Sequence, residues 1–90
     1  MRPSLTKAQR REWNALRDTI GRNLHYYRRL RRMSLSACAR RIAISPDILD
    51  DYEMGKRSIT VLHLLRLAYV LDAPFEQLLK RTNREMHDAA

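Results

Sequence analysis

The chain reads as an all-α domain, and three observations carry that reading. Helix breakers are scarce, with Gly only at 21 and 55 and Pro only at 3, 46 and 74, all at plausible element ends. Apolar residues recur at three- and four-residue spacing in each long segment, the period of one helix face. Hydroxyl residues suited to accept hydrogen bonds from free backbone N–H groups, Thr6, Ser34 and Ser45, stand directly ahead of such segments.

Taken from the N-terminus, residues 1–5 read as an arm. Thr6 and Gln9 form a capping box, and Trp13, Leu16 and Ile20 follow at helical spacing, which predicts a basic helix in the stretch 1–18. Trp13 and Leu16 are expected to bury against the core or a second subunit rather than stack on nucleic acid, since amphipathic spacing usually means burial. Thr19 is suited to cap the next helix, with Leu24 and Tyr27 inward and Arg22, Arg29 and Arg32 in water; a single helix fused across Asp18 fits the same residues.

Residues 34–55, SLSACARRIAISPDILDDYEMG, spell two short helices joined by a tight turn. The first opens on Ser34 and turns Leu35, Cys38, Ala39 and Ile42 to one side. Ala43 and Ile44 make the turn, and Ser45 followed by Pro46 restarts the helix, because Ser caps and Pro is preorganised for the first helical position. The second helix carries Leu49 and Tyr52 inward and stops at Gly55, where positive φ costs nothing. Residues 56–60 read as a polar connection. Val61, Leu64, Leu65, Ala68 and Leu71 trace a further buried stripe, Asp72 and Ala73 break it, and Pro74 starts a last helix with Phe75, Leu78 and Leu79 on its apolar face. The organisation expected is a basic arm or helix at 1–18, a five-helix domain at 19–81 and a frayed tail at 82–90.

Composition narrows what such a domain does. Ninety residues make one domain. The net charge is +8 and unevenly spread: residues 1–41 hold twelve Arg or Lys against Glu12 and Asp18, whereas residues 47–53 hold four acids and no base. Blocks of one sign mark the surface that meets a polyanion. The single cysteine, Cys38, excludes an internal disulfide and reads as a packing residue, which fits a reducing cytoplasm. No apolar run is long enough to span a bilayer, so no membrane role is expected. His25, His63 and His87 are scattered, and neither a metal-ligand spacing, a Gly-rich phosphate loop nor a nucleophile elbow occurs; no enzymatic role, metal or cofactor is expected.

The order IGRNLHYYR, the two short helices, YEMGKR, HLLRLAYVL and FEQLL resembles the XRE-type helix-turn-helix regulators, which include Cro and the phage lambda and 434 repressors. The resemblance covers roughly residues 20–79. It implies a lambda-repressor-like helix-turn-helix domain with an additional N-terminal basic helix, acting as a repressor-type transcriptional regulator that binds a palindromic operator in double-stranded DNA as a homodimer. In such proteins the second motif helix lies in the major groove and the first crosses the phosphate backbone. The base-reading candidates are then Pro46, Asp47, Ile48, Asp51 and Met54. Asp51 is suited to accept from a cytosine amine and Ile48 to pack on a thymine methyl or to complete the core, while Asp47 is equally an ordinary first-turn acid. Family positions rich in Gln are acidic here, and Leu35 replaces a phosphate-clamping Gln.

Phosphate candidates are Ser34, Ser36, Arg40 and Arg41 on one side and Lys56, Arg57 and Ser58 on the other, with Arg10, Arg11 and Arg17 extending the footprint. The resemblance also implies a structural Arg28–Glu53 ion pair and a dimer interface on Phe75, Leu78 and Leu79. The alternative is a protein-interaction module that kept the fold and uses its acidic helix to bind a basic partner surface.

Overall fold

The computed structural model describes residues 4–81, whose regular structure is entirely helical. Five helices follow in order: α1 Lys7–Leu30, α2 Leu35–Arg41, α3 Pro46–Glu53, α4 Val61–Val70 and α5 Phe75–Leu79. The expected tail at 82–90 lies outside the described residues.

The expected sixth helix does not separate. Thr6 opens α1 with the anticipated capping box, its hydroxyl accepting from the Gln9 N–H at 3.1 Å while the Gln9 side chain accepts from the Thr6 N–H at 2.9 Å. The helix then runs through Asp18, Thr19 and Gly21 without a break. Thr19 caps nothing and Gly21 is no element end. Leu16, Ile20 and Leu24 keep one register across the junction, and extending a helix adds a hydrogen bond per residue where a second start would cost another nucleus.

The short helices begin as the sequence predicts. Ser34 accepts from the Ala37 N–H at 3.1 Å and Ser45 from the Ile48 N–H at 3.2 Å. Thr60, read only as part of a connection, caps α4 by accepting from the His63 N–H at 3.1 Å. Helices α1 to α4 all stop on a left-handed residue: Arg32 (φ 57°), Ala43 (φ 60°), Gly55 (φ 71°) and Asp72 (φ 50°). After α3, for example, Gly55 N–H donates to the Tyr52 carbonyl at 3.2 Å and Lys56 N–H to that of Asp51 at 2.9 Å, so orphan carbonyls are satisfied at each end.

The core comprises Ile20 and Leu24 of α1, Cys38, Ala39 and Ile42, Leu49 and Tyr52 of α3, Leu64, Leu67, Ala68 and Leu71, Ala73, and Leu78 of α5. In α4 the predicted stripe is corrected. Leu67 is fully buried, whereas Val61 and Leu65 stand 69% and 49% exposed. The segment VLHLLRLAYV is apolar on more than one face, so periodicity alone fits two registers. Trp13 and Leu16 are also not packed into the core; they are 56% and 45% exposed on the part of α1 that precedes Ile20. Among the described residues no helix is long and apolar enough to cross a membrane.

Helix α1 organises the rest. It crosses the last turn of α3 at Gly21, where a β-carbon would lie 2.5 Å from the Tyr52 carbonyl oxygen and 2.6 Å from that of Glu53. Three of its polar side chains reach other helix ends. Asn23, 1% exposed, points its amide at the carbonyls of Gln77, Leu78 and Lys80 at 3.1, 2.9 and 2.9 Å, holding the end of α5. Arg31 donates to the Leu71 and Asp72 carbonyls at 2.7 and 2.9 Å, closing α4. Arg28 donates to the Met33 carbonyl at 2.9 Å and grips Glu53 at the end of α3.

Two outcomes follow. Gly21→Ala should force α1 off α3 and cost about 2–3 kcal/mol, by analogy with overpacked cores; thermal unfolding should show a midpoint lower by on the order of 10–20 °C. Burial, reinforced by the negative charge of Glu53, pushes the Cys38 thiol above its usual range. The folded state therefore keeps this proton above about pH 8.5, where the unfolded chain loses it. Stability is fully present below that value and falls as pH rises toward the raised one. Chemical unfolding across this alkaline range should show the decline, and Cys38→Ala should flatten it.

Candidate nucleic-acid interface

Helix α3 is placed by two inward anchors, Leu49 and Tyr52, 1% and 4% exposed. At 100° per residue the opposite arc falls on Asp47, Asp50, Asp51 and Met54, with Pro46 at its leading edge. Pro46, Asp47, Asp50 and Met54 are exposed and Asp51 is half-buried. Of the two roles open to Ile48, the structure has the second: it is half-buried and packs on the core, lying at the edge of the arc rather than among the base-reading positions. Asp50, not among the base-reading candidates, takes its place. The presented surface is thus three carboxylates and a thioether, more acidic than the sequence reading allowed. Asp47 sits in the first turn, where the positive end of the helix dipole favours it.

The far end of α3 is locked. Arg28 makes a forked pair with Glu53, Nε to Oε2 at 2.7 Å and Nη2 to Oε1 at 2.9 Å, and the Glu53 side chain is 4% exposed. The hydrogen bonds Arg28 donates to Glu53, opposed by burial and aided by the carboxylate's charge, raise the Arg28 pKa further, so the guanidinium stays charged. His25 Nδ1 lies 2.9 Å from the same carboxylate. On the inner side, the Tyr52 hydroxyl meets His63 Nδ1 at 2.7 Å, tying α3 to the first turn of α4. Sequence spacing assigns these two scattered histidines no role, because their partners are distant along the chain.

The flanking cations occupy the surface. Ser36, Arg40 and Arg41 are exposed on α2, and Lys56, Arg57 and Ser58 are exposed in the corner after α3. Ser34 is exposed as well, with its oxygen already engaged as the α2 cap. Arg57 leans back toward Asp51 at 3.5 Å, a long exposed pair that is weak in water. Beside this corner a groove of about 270 Å³ opens between Trp13 and Arg17 of α1 and Arg57, Ser58 and Ile59, with Ile20 and Tyr52 also lining it. Arg17 of α1 is therefore brought beside the corner after α3, whereas Arg11 lines a separate cleft with Leu79 and Arg81. Sequence spacing gave no sign of this, because it depends on how far α1 runs past its crossing with α3. Among the described residues no three His, Cys, Asp or Glu side chains come together to hold a metal ion.

The interface expected on α5 divides. Leu78 is fully buried among the domain's own residues, Phe75 packs partly against the same core, and Leu79 is 37% exposed. Leu78 is therefore corrected from contact residue to core residue: the Asn23 clamp draws α5 down onto α1.

Removing one partner of the Arg28–Glu53 pair strands a largely desolvated charge. Glu53→Ala should cost roughly 3 kcal/mol, and Arg28→Met combined with Glu53→Leu should recover part of that loss in a double-mutant cycle read by urea unfolding. Compared with known protein families, curated proteins and solved structures, the chain finds no match in any of the three.

Proposed function

We propose that the chain is a lambda-repressor-like helix-turn-helix domain that binds double-stranded DNA as a homodimer, with α3 in the major groove, and serves as a repressor-type transcriptional regulator. The observation that carries the reading is the pose of α3. Its outer arc is free of the domain, its inner face and far end are locked, and exposed cations stand on both the preceding helix and the following corner. Phosphate contacts need only such donors at the right edges, and they fix the register in which base edges are read. Arg40, Arg41, Lys56 and Arg57 supply that positioning. Asp51 and Asp47 accept from cytosine amines, and Met54 offers apolar contact. The carboxylates oppose the phosphate field, so the positive charge of residues 1–41 has to outweigh them. Two copies related by a two-fold axis double the contacted bases and match a palindromic site.

A second reading is favoured by the outer arc itself. Asp47, Asp50 and Asp51 together make an acidic patch, weakly offset by Arg57, that suits a basic protein surface.

A duplex library titrated against salt separates the two. The DNA reading expects one preferred sequence and a steep loss of affinity with salt. Asp51→Ala should relax preference at one base position, while Arg57→Ala should weaken all sequences alike and lower the salt slope by about 1. Absence of duplex binding at low ionic strength, or binding without sequence preference, overturns it.

A further inference from the structure

Helix α4 carries an apolar face that its own domain leaves open. Val61, Leu62, Leu65 and Tyr69 are 69%, 55%, 49% and 86% exposed, and Tyr69 and Val61 are the two most exposed large apolar residues described. At 100° per residue these four fall within about 100° of arc, so they form one continuous stripe rather than scattered contacts. The buried residues Leu64, Leu67, Ala68 and Leu71 lie on the adjoining side. The stripe is therefore separate from the core register and is not required by the fold.

We propose that this stripe is the contact between two copies of the chain, packed antiparallel about a two-fold axis through Leu65. This deepens the two-copy reading above and rests on it for its biological use. The spacing suits such an axis. Val61 and Tyr69 stand four residues to either side of Leu65, about 6 Å each way along the helix, so Val61 of one copy meets Tyr69 of the other and the reverse holds by symmetry. Size agrees: on ordinary side-chain areas these exposures amount to at most about 500 Å² per copy, so a pair buries up to roughly 1,000 Å², the threshold of a specific interface and the range of weak, reversible pairs.

Charge selects the partner. In a chain of net charge +8, residues 58–71 hold one charged side chain, Arg66, which is exposed. Most other faces would bring like charges together; this one pairs with itself at little electrostatic cost. It also replaces the α5 surface, which lost Leu78 to the core.

Sedimentation equilibrium without DNA tests the contact by itself. Wild-type protein at about 100 µM should approach twice the 10.7 kDa chain mass. Leu65→Glu, and independently Tyr69→Asp, should return it to a single copy that still unfolds cooperatively, at the melting temperature the wild type shows when diluted to a single copy, since both positions are exposed. Leu79→Glu on α5 should leave the pair intact. A wild type that stays single at that concentration, or a pair that survives both α4 changes, or one that Leu79→Glu alone dissolves, overturns the proposal. Because duplex is absent, a protein that pairs through α4 yet ignores DNA upholds the contact and defeats only the regulator reading, and the converse result separates them equally.

Discussion

The crossing of α1 over the last turn of α3 is the constraint on which the arrangement depends. At Gly21 no side chain separates the two helices, and the glycine backbone lies directly against the carbonyl oxygens of Tyr52 and Glu53. That approach sets how deep Tyr52 sits, brings Glu53 within reach of Arg28, and turns the remaining arc of α3 outward. A few residues along, Gly55 ends α3 in the left-handed region with Asp18 of α1 packed where its side chain would be. Two glycines thus fix one helix against another, the first by closeness and the second by conformation.

Around that crossing α1 acts as the common frame. Helices α2 to α5 run from 5 to 10 residues, too short to persist alone in water. What holds them is the shared apolar core, in which α3 and α5 pack on α1, α2 packs on α3 and α4 on α5, supplemented by polar links from α1. Arg28 and Arg31 bring positive charge to the C-terminal ends of α3 and α4, where the helix dipole is negative, and Asn23 supplies neutral donors to the end of α5. Each link satisfies carbonyl or carboxylate groups that burial would otherwise leave unpaired. The outward pose of α3 is a by-product of this bracing, which explains why a helix of 8 residues can present three carboxylates on one side and stay in place.

How much of this was legible in the sequence divides along local and distant causes. Caps at Thr6, Ser34 and Ser45, the Pro46 restart and the Gly55 stop act within four residues, and the structure has each as read. The Arg28–Glu53 pair came from a family pattern, and its geometry matches. The fusion of α1 was open because Asp18 and Thr19 are as acceptable inside a helix as at its start. In α4 the choice between Leu65 and Leu67 as the buried residue was invisible because every candidate is leucine. The role of Asn23 depends on residues more than fifty positions away, and nothing in its neighbours announces it. Of the candidate site, the exposed positions were largely legible and Ile48 was open between groove and core; the burial of Leu78 and the groove beside Trp13 were not legible, since each is set by packing between elements.

The placement of Trp13 has a practical side. It is the chain's only tryptophan, it stands half in water on α1, and it borders the groove shared with Arg57 and Ser58. Indole emission responds to the polarity of its surroundings and to charges brought near it. Whatever settles on the corner after α3 changes that light, so the molecule carries its own unlabelled optical gauge at the edge where a partner would arrive.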